Sequence, residues 1–134
     1  MPGRFTIRKY TEVTTTNALA SARSLAMEEN RIVIVRRGRP RWAIFQCPCG
    51  CRELVSLNLD SRTGPHWRAR EGPKGMSISP SVWRTSGCGS HFIVWDSRVW
   101  MFRGRPLTIK NEELPDEARR ELMLEGWKVE PKGR

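Results

Sequence analysis

Long apolar runs are missing from this 134-residue sequence. No stretch approaches the uninterrupted length that a bilayer-crossing helix needs, and the start, Met1-Pro2-Gly3-Arg4-Phe5, lacks the apolar centre of a secretory signal. The expectation is a cytoplasmic protein with no membrane partner. Internal repeats, heptads and low-complexity tracts are absent too, as is the H-E-x-x-H signature of zinc peptidases. Acidic residues are scarce, 14 against 24 Lys and Arg, and nineteen of those cations are Arg, giving a formal net charge of +10. Apolar residues make up only 38%, with 11 Gly and 9 Pro. The mean hydropathy is −0.56. Such a chain is expected to fold as one domain over residues 1–134, with a thin margin of apolar burial that a metal staple would widen.

Against that background the four cysteines stand out, because they sit in two places only: Cys47-Pro48-Cys49-Gly50-Cys51 and Cys88, with His91 three residues on. A reducing compartment argues against disulfides, and alternate cysteines beside Pro and Gly do not resemble isolated core thiols. Pro48 stiffens the first loop and Gly50 frees its backbone, so the thiolates can turn toward a common point. The arithmetic is that of a tetrahedral Zn²⁺ site, with iron–sulfur ligation as the alternative. Zinc takes four ligands and the sequence offers five: Cys47, Cys49, Cys51, Cys88 and His91. If Cys47 or Cys51 is spare, the site is Cys₃His and closed; if all four bind, His91 is free for other chemistry.

Periodicity places these groups in an α+β fold with a small, mostly antiparallel sheet and two helices, stabilised by zinc. Residues 4–10 read as a first strand, and Thr14, Thr15, Thr16 and Asn17 offer N-caps for a helix over 18–29. Residues 31–35 and 42–46 form a hairpin that delivers the chain to Cys47, and 53–59 is a further strand. Residues 60–75 read as a long exposed loop and 76–83 as a short extended run. The clearest hairpin is 91–95 with 98–102, joined by Asp96-Ser97, a two-residue turn without the favoured Gly. A last helix opens at Pro115 and Asp116 and closes at Gly126, and Lys128 to Arg134 reads as a frayed tail.

Two further sets of residues carry candidate chemistry. Ser81 follows Pro80, His91 lies a hairpin's length away, and Asp96 is near in sequence, so a Ser, His, Asp arrangement is conceivable beside ordinary turn chemistry for Ser81 and Asp96. His66 reads as a solvent-facing loop residue. The second set is the arginines: a guanidinium fork pairs two-fold with phosphate or carboxylate, which suits nucleic acid or an acidic protein partner, although Arg-rich composition also follows from a GC-rich genome. Trp42, Trp83, Trp95, Trp100 and Trp127 fit packing positions near the sheet, and their interleaving with Arg68, Arg70, Arg84, Arg98 and Arg103 would also suit base stacking.

The elements Cys47-Pro48-Cys49-Gly50-Cys51, Pro80-Ser81-Val82 and Cys88-Gly89-Ser90-His91-Phe92, in this order across residues 42–102, resemble a family of small bacterial Cys/His zinc-binding proteins. Its members share C-P-C-G-C, P-S-[IV] and C-x-x-H-F elements and are encoded beside bacterial relatives of ubiquitin and its conjugation enzymes, in systems linked to phage defence. Arg52 stands where a small residue is expected after the cysteines. The resemblance implies an accessory protein of a ubiquitin-like pathway, partnered by the ubiquitin-like protein or its conjugating enzymes. It acts either as a serine-type peptidase on the modifier, through Ser81 and His91 with amides near Gly87 or Gly89 steadying the oxyanion, or as an adaptor. The alternative is a non-catalytic zinc module that binds nucleic acid or an acidic protein through its arginines.

Overall fold

The computed structural model of the chain describes residues 7–102, 108–109 and 114–129. Its first sheet begins where β-branched residues accumulate: Val13, Thr14, Thr15 and Thr16 suit extended backbone and form β1 (Glu12–Thr16). α1 (Leu19–Leu25) then leads to β2 (Arg31–Arg37), which lies parallel to β1. The threonines expected as helix caps are therefore strand residues. The N-cap position falls to Ala18, which makes no side-chain cap bond. β3 (Arg39–Gln46) and β4 (Leu54–Asn58) add antiparallel strands in the order β1-β2-β3-β4. The expected β2–β3 hairpin is present, its turn narrowed to Gly38 at φ 74°.

The second sheet runs β5 (Arg68–Gly72), β6 (Gly75–Trp83), β7 (His91–Trp95), β8 (Arg98–Phe102), antiparallel throughout. β5 lies inside the stretch expected to be loop. It is an edge strand whose residues Arg68, Arg70, Glu71 and Gly72 are exposed, so no apolar alternation marks it. The β7–β8 hairpin has the expected ends. Asp96 and Ser97 take φ of 51° and 63° in its turn, the left-handed pair that a two-residue connection requires. Ser97 is held there by two bonds: its N–H donates to Met76 O at 2.7 Å, and Met76 N–H donates to its Oγ at 2.9 Å.

Past β8, β9 (Thr108–Ile109) pairs in parallel with β10 (Lys128–Val129), and α2 (Asp116–Leu124) lies between them in sequence. The expected tail thus begins as a strand, and residues 130–134 lie outside the described residues. Residues 4–6 of the expected first strand also lie outside them; Lys9 makes an isolated antiparallel bridge to Arg98, and Tyr10 N–H donates to Ser97 O at 2.7 Å.

The two sheets pack through one cluster drawn from both: Ile32, Ile34, Phe45, Val55 and Leu57 from the first, and Met76, Ile78, Val82, Phe92 and Val94 from the second. Each outer face carries a helix. Ala22 and Ala26 of the α1 region cover Val33, Val35 and Ile44 of the first sheet. Leu114, Ala118 and Leu122 of the α2 region cover Ile93 and Trp95 of the second. The architecture is α+β in four layers, helix, sheet, sheet, helix, antiparallel except at β1–β2 and β9–β10.

Candidate active site and cysteine cluster

The cysteines arrive from opposite sheets. Cys47, Cys49 and Cys51 occupy the turn between β3 and β4, and Cys88 the turn between β6 and β7. Left-handed φ values at Gly50 (89°), Arg52 (68°), Gly87 (71°) and Gly89 (70°) curl both turns inward. Arg52, at the position where a small residue is expected, adopts the left-handed backbone that glycine takes most easily.

The four sulfurs lie within 4.8 Å of one another, with Cys47 Sγ 3.5 Å from Cys49 Sγ and 3.6 Å from Cys88 Sγ. A tetrahedral ion with metal–sulfur bonds of about 2.3 Å places its sulfurs about 3.8 Å apart, so donor set and spacing fit a metal ion. Arg84 adds positive charge, with Nη1 3.4 Å from Cys88 Sγ and 3.6 Å from Cys51 Sγ. Burial pushes the Cys47 thiol up to about 12. At Cys88 burial acts in the same direction, but Ser90 and the neighbouring Cys47 and Cys49 outweigh it and hold the thiol down at about 6.

His91, the fifth candidate ligand, is not in this group. Alternation along β7 sends Phe92 and Val94 into the core between the sheets and turns His91, Ile93 and Trp95 toward α2. On β6 the register shifts between Ile78 and Val82, a bulge that spans Ser79-Pro80-Ser81 and re-aims the serine. Ser81 Oγ then stands 2.9 Å from His91 Nε2.

The imidazole is boxed by aromatic rings, Trp127 at 4.7 Å, Phe102 at 5.0 Å and Trp83 at 5.6 Å between centroids. Burial in that box lowers its pKa to about 4, so the ring is neutral near pH 7. Its Nδ1 is buried with no hydrogen-bond partner among the described residues. Asp96 does not supply one. It sits in the β7–β8 turn, at the far end of the strand from His91, where its N–H donates to Ser77 Oγ at 2.9 Å.

The carboxylate at this site is one that the sequence reasoning missed. Glu125 Oε1 accepts the Ser81 hydroxyl at 2.6 Å and the Trp127 indole N–H at 3.1 Å, while its Oε2 accepts the Ser81 backbone N–H at 2.8 Å. One signal was available. Glu125 is the C-cap of α2, where the helix dipole disfavours an anion and the last turn holds no basic residue. An acid placed there needs donors from elsewhere.

The remaining candidates fall outside this constellation. His66 is exposed, with Nδ1 3.2 Å from Gly64 O in the loop before β5. Many arginines are engaged within the chain: Arg31 with Glu12, Arg41 and Arg62 with Asp60, Arg68 with Glu121, Arg70 with Glu117 and Arg84 with Glu53. Arg70 and Arg98 also lie over the rings of Trp95 and Trp100. Arg36, Arg37 and Arg39 remain exposed at the β2–β3 turn, and Arg103 lies outside the described residues. No helix among those residues is long and apolar enough to cross a membrane.

Comparison with known families finds a match over residues 19–102 to the family described as bacterial ubiquitination-like system serine protease (BubE). No curated protein and no solved structure matches the chain.

Proposed function

The chain belongs to the BubE family, and from that premise we propose that it is a serine-type hydrolase of a bacterial ubiquitination-like system, cutting an acyl bond made by the ubiquitin-like modifier. The observation that carries this reading is the 2.9 Å approach of Ser81 Oγ to a neutral, buried His91 Nε2. Both residues lie within the matched segment, beside a bulge that turns the serine toward the imidazole.

In the reaction Ser81 Oγ bonds to the carbonyl carbon and its proton passes to His91 Nε2. The bond from that carbon to the leaving amine breaks, and the amine departs with the proton. Water then adds to the acyl-serine ester, giving a proton to His91. The ester bond breaks, His91 returns the proton to Ser81, and the product leaves with a new carboxylate. Ser81 N–H lies on the same side as Oγ, as the shared carboxylate of Glu125 indicates, and is the donor best placed to receive the developing oxyanion. Gly87 and Gly89, at φ 71° and 70°, shape the Cys88 turn.

Zn²⁺ is the ion assigned to Cys47, Cys49, Cys51 and Cys88, leaving His91 as the free member of the five. Four thiolates leave a tetrahedral ion no open position, so what it supplies when bound is structure: it ties the β3–β4 turn to the turn that ends three residues before His91. Reduced thiols suit a cytoplasmic protein acting with the modifier and its conjugating enzymes, within the phage-defence setting that the resemblance implies. The second reading, a non-catalytic module for nucleic acid or an acidic protein, is favoured by the exposed Arg36, Arg37 and Arg39.

A fluorophosphonate probe separates the two readings. It is expected to label the folded chain at one serine and to leave Ser81→Ala unlabelled. Folded, metal-loaded protein that never labels, in the wild type and in variants of the residues that contact Ser81 alike, would remove the hydrolase reading.

A further inference from the structure

The segment 114–127 lies outside the family match, which ends at residue 102, yet it reaches into the Ser81–His91 pair. Its path is dictated locally. Gly126 at φ 97° reverses the chain after α2, and Trp127 N–H donates back to Leu122 O at 3.2 Å, the cap geometry that glycine supports at a helix end. This reversal sets Glu125 against Ser81 and lays the Trp127 ring 4.7 Å from the imidazole.

Glu125 spans the serine with both oxygens, one on Oγ and one on the backbone N–H. A carboxylate in that position resembles the end of a hydrolysed acyl chain, with one oxygen where the oxyanion forms and the other beside the nucleophile. It also draws the hydroxyl proton toward itself and away from His91 Nε2. What fastens the segment is apolar contact, Leu114, Ala118 and Leu122 on the sheet face and the Trp127 ring against Trp83 and His91, while the largely exposed pairs Arg70–Glu117 and Arg68–Glu121 at 3.1 and 3.8 Å add little.

We propose that Ser81 N–H and Oγ form a subsite for the C-terminal carboxylate of the peptide product, and that Glu125 occupies this subsite in cis, so that residues 114–127 must move aside before an acyl substrate enters. This rests on the reading of Ser81 as nucleophile. The occupied state then sets the rate at which any reagent reaches Ser81, because reaction scales with the fraction of molecules in which the segment is displaced.

The experiment uses the full chain, with Glu125→Ala and the isosteric Glu125→Gln at matched melting temperature, and two measurements. Fluorophosphonate labelling of Ser81 should accelerate by about tenfold in Glu125→Ala, with Glu125→Gln between it and the wild type, as expected when the competent fraction rises. N-acetylglycine, a minimal peptide carboxylate, should shift the Ser81 amide resonance in Glu125→Ala and leave it unmoved in the wild type at the same concentration. Labelling that is equal or slower in Glu125→Ala overturns the proposal and leaves the nucleophile reading standing; slower labelling makes Glu125 a residue that supports the serine. Absence of labelling in every folded variant removes the nucleophile reading. The titration alone then decides the subsite: a response confined to Glu125→Ala supports it, and a response in both proteins or in neither overturns it.

Discussion

The two outer faces of the sandwich carry the same kind of cover over different ground. Under the α1 region lie Val33, Val35 and Ile44, met by Ala22 and Ala26, an all-apolar contact. Under the α2 region, Ile93 and Trp95 share the face with Ser77, Ser79, Ser81 and His91, and the helix adds charged groups that reach β5 and Ser81. A helix on an apolar face can do little more than exclude water, whereas one lying over a hydroxyl and an imidazole controls who else may reach them. The difference separates a structural cover from one set on chemistry, although both bury alanines and branched side chains in the same way.

Three perturbations bear on this contrast. The largest is removal of the metal proposed for the four cysteines, since structural zinc in small proteins contributes on the order of 10 kcal/mol. Chelation under reducing conditions should strip hydrogen-exchange protection from both turns that carry the cysteines, 47–53 on the sheet under α1 and 84–90 on the sheet under α2. Loss in one turn alone would show that the four sulfurs do not share an ion. Next, Ile44→Ala under α1 and Leu122→Ala in α2 each remove a fully buried branched side chain and should each cost about 2–5 kcal/mol in urea denaturation. Only Leu122→Ala should quicken fluorophosphonate labelling of Ser81 per folded molecule; an equal change in Ile44→Ala would break the comparison.

The smallest is a pH effect. His91 has a folded pKa of about 4 against an ordinary 6.5, so between those values the unfolded chain binds the extra proton and stability falls as pH drops. The loss approaches roughly 3 kcal/mol near pH 4 and vanishes in His91→Gln, read as the difference between the two denaturation profiles.

What could be read in the sequence was what is local. The C-P-C-G-C and C-x-x-H spacings announced a sulfur cluster because Pro and Gly beside alternate cysteines have few other uses, and the β7–β8 hairpin followed from apolar strands with a two-residue gap. The surplus of five ligands over four left the spare group open between a cysteine and His91, and it is His91 that stands apart from the sulfurs. β5 was illegible because an edge strand with exposed charged residues leaves no alternation. β1 was misread because threonine serves equally as helix cap and as strand residue, and only pairing with β2 decides between them. Glu125 reaches Ser81 across 44 residues, and no spacing rule covers that distance. Only its awkward place at a helix end hinted that it was wanted elsewhere.

Cys88 and His91 are separated by two residues, and each end of that short link obeys a different constraint. The sulfur answers to the other thiols, while the ring answers to the parity of a pleated strand. With the sulfur held, one residue deleted between them would bring the ring of Phe92 to the place beside the serine, and one residue inserted would turn the imidazole into the hydrocarbon between the sheets. Length variation in this part of the chain is thus closed off, whatever freedom the individual side chains retain.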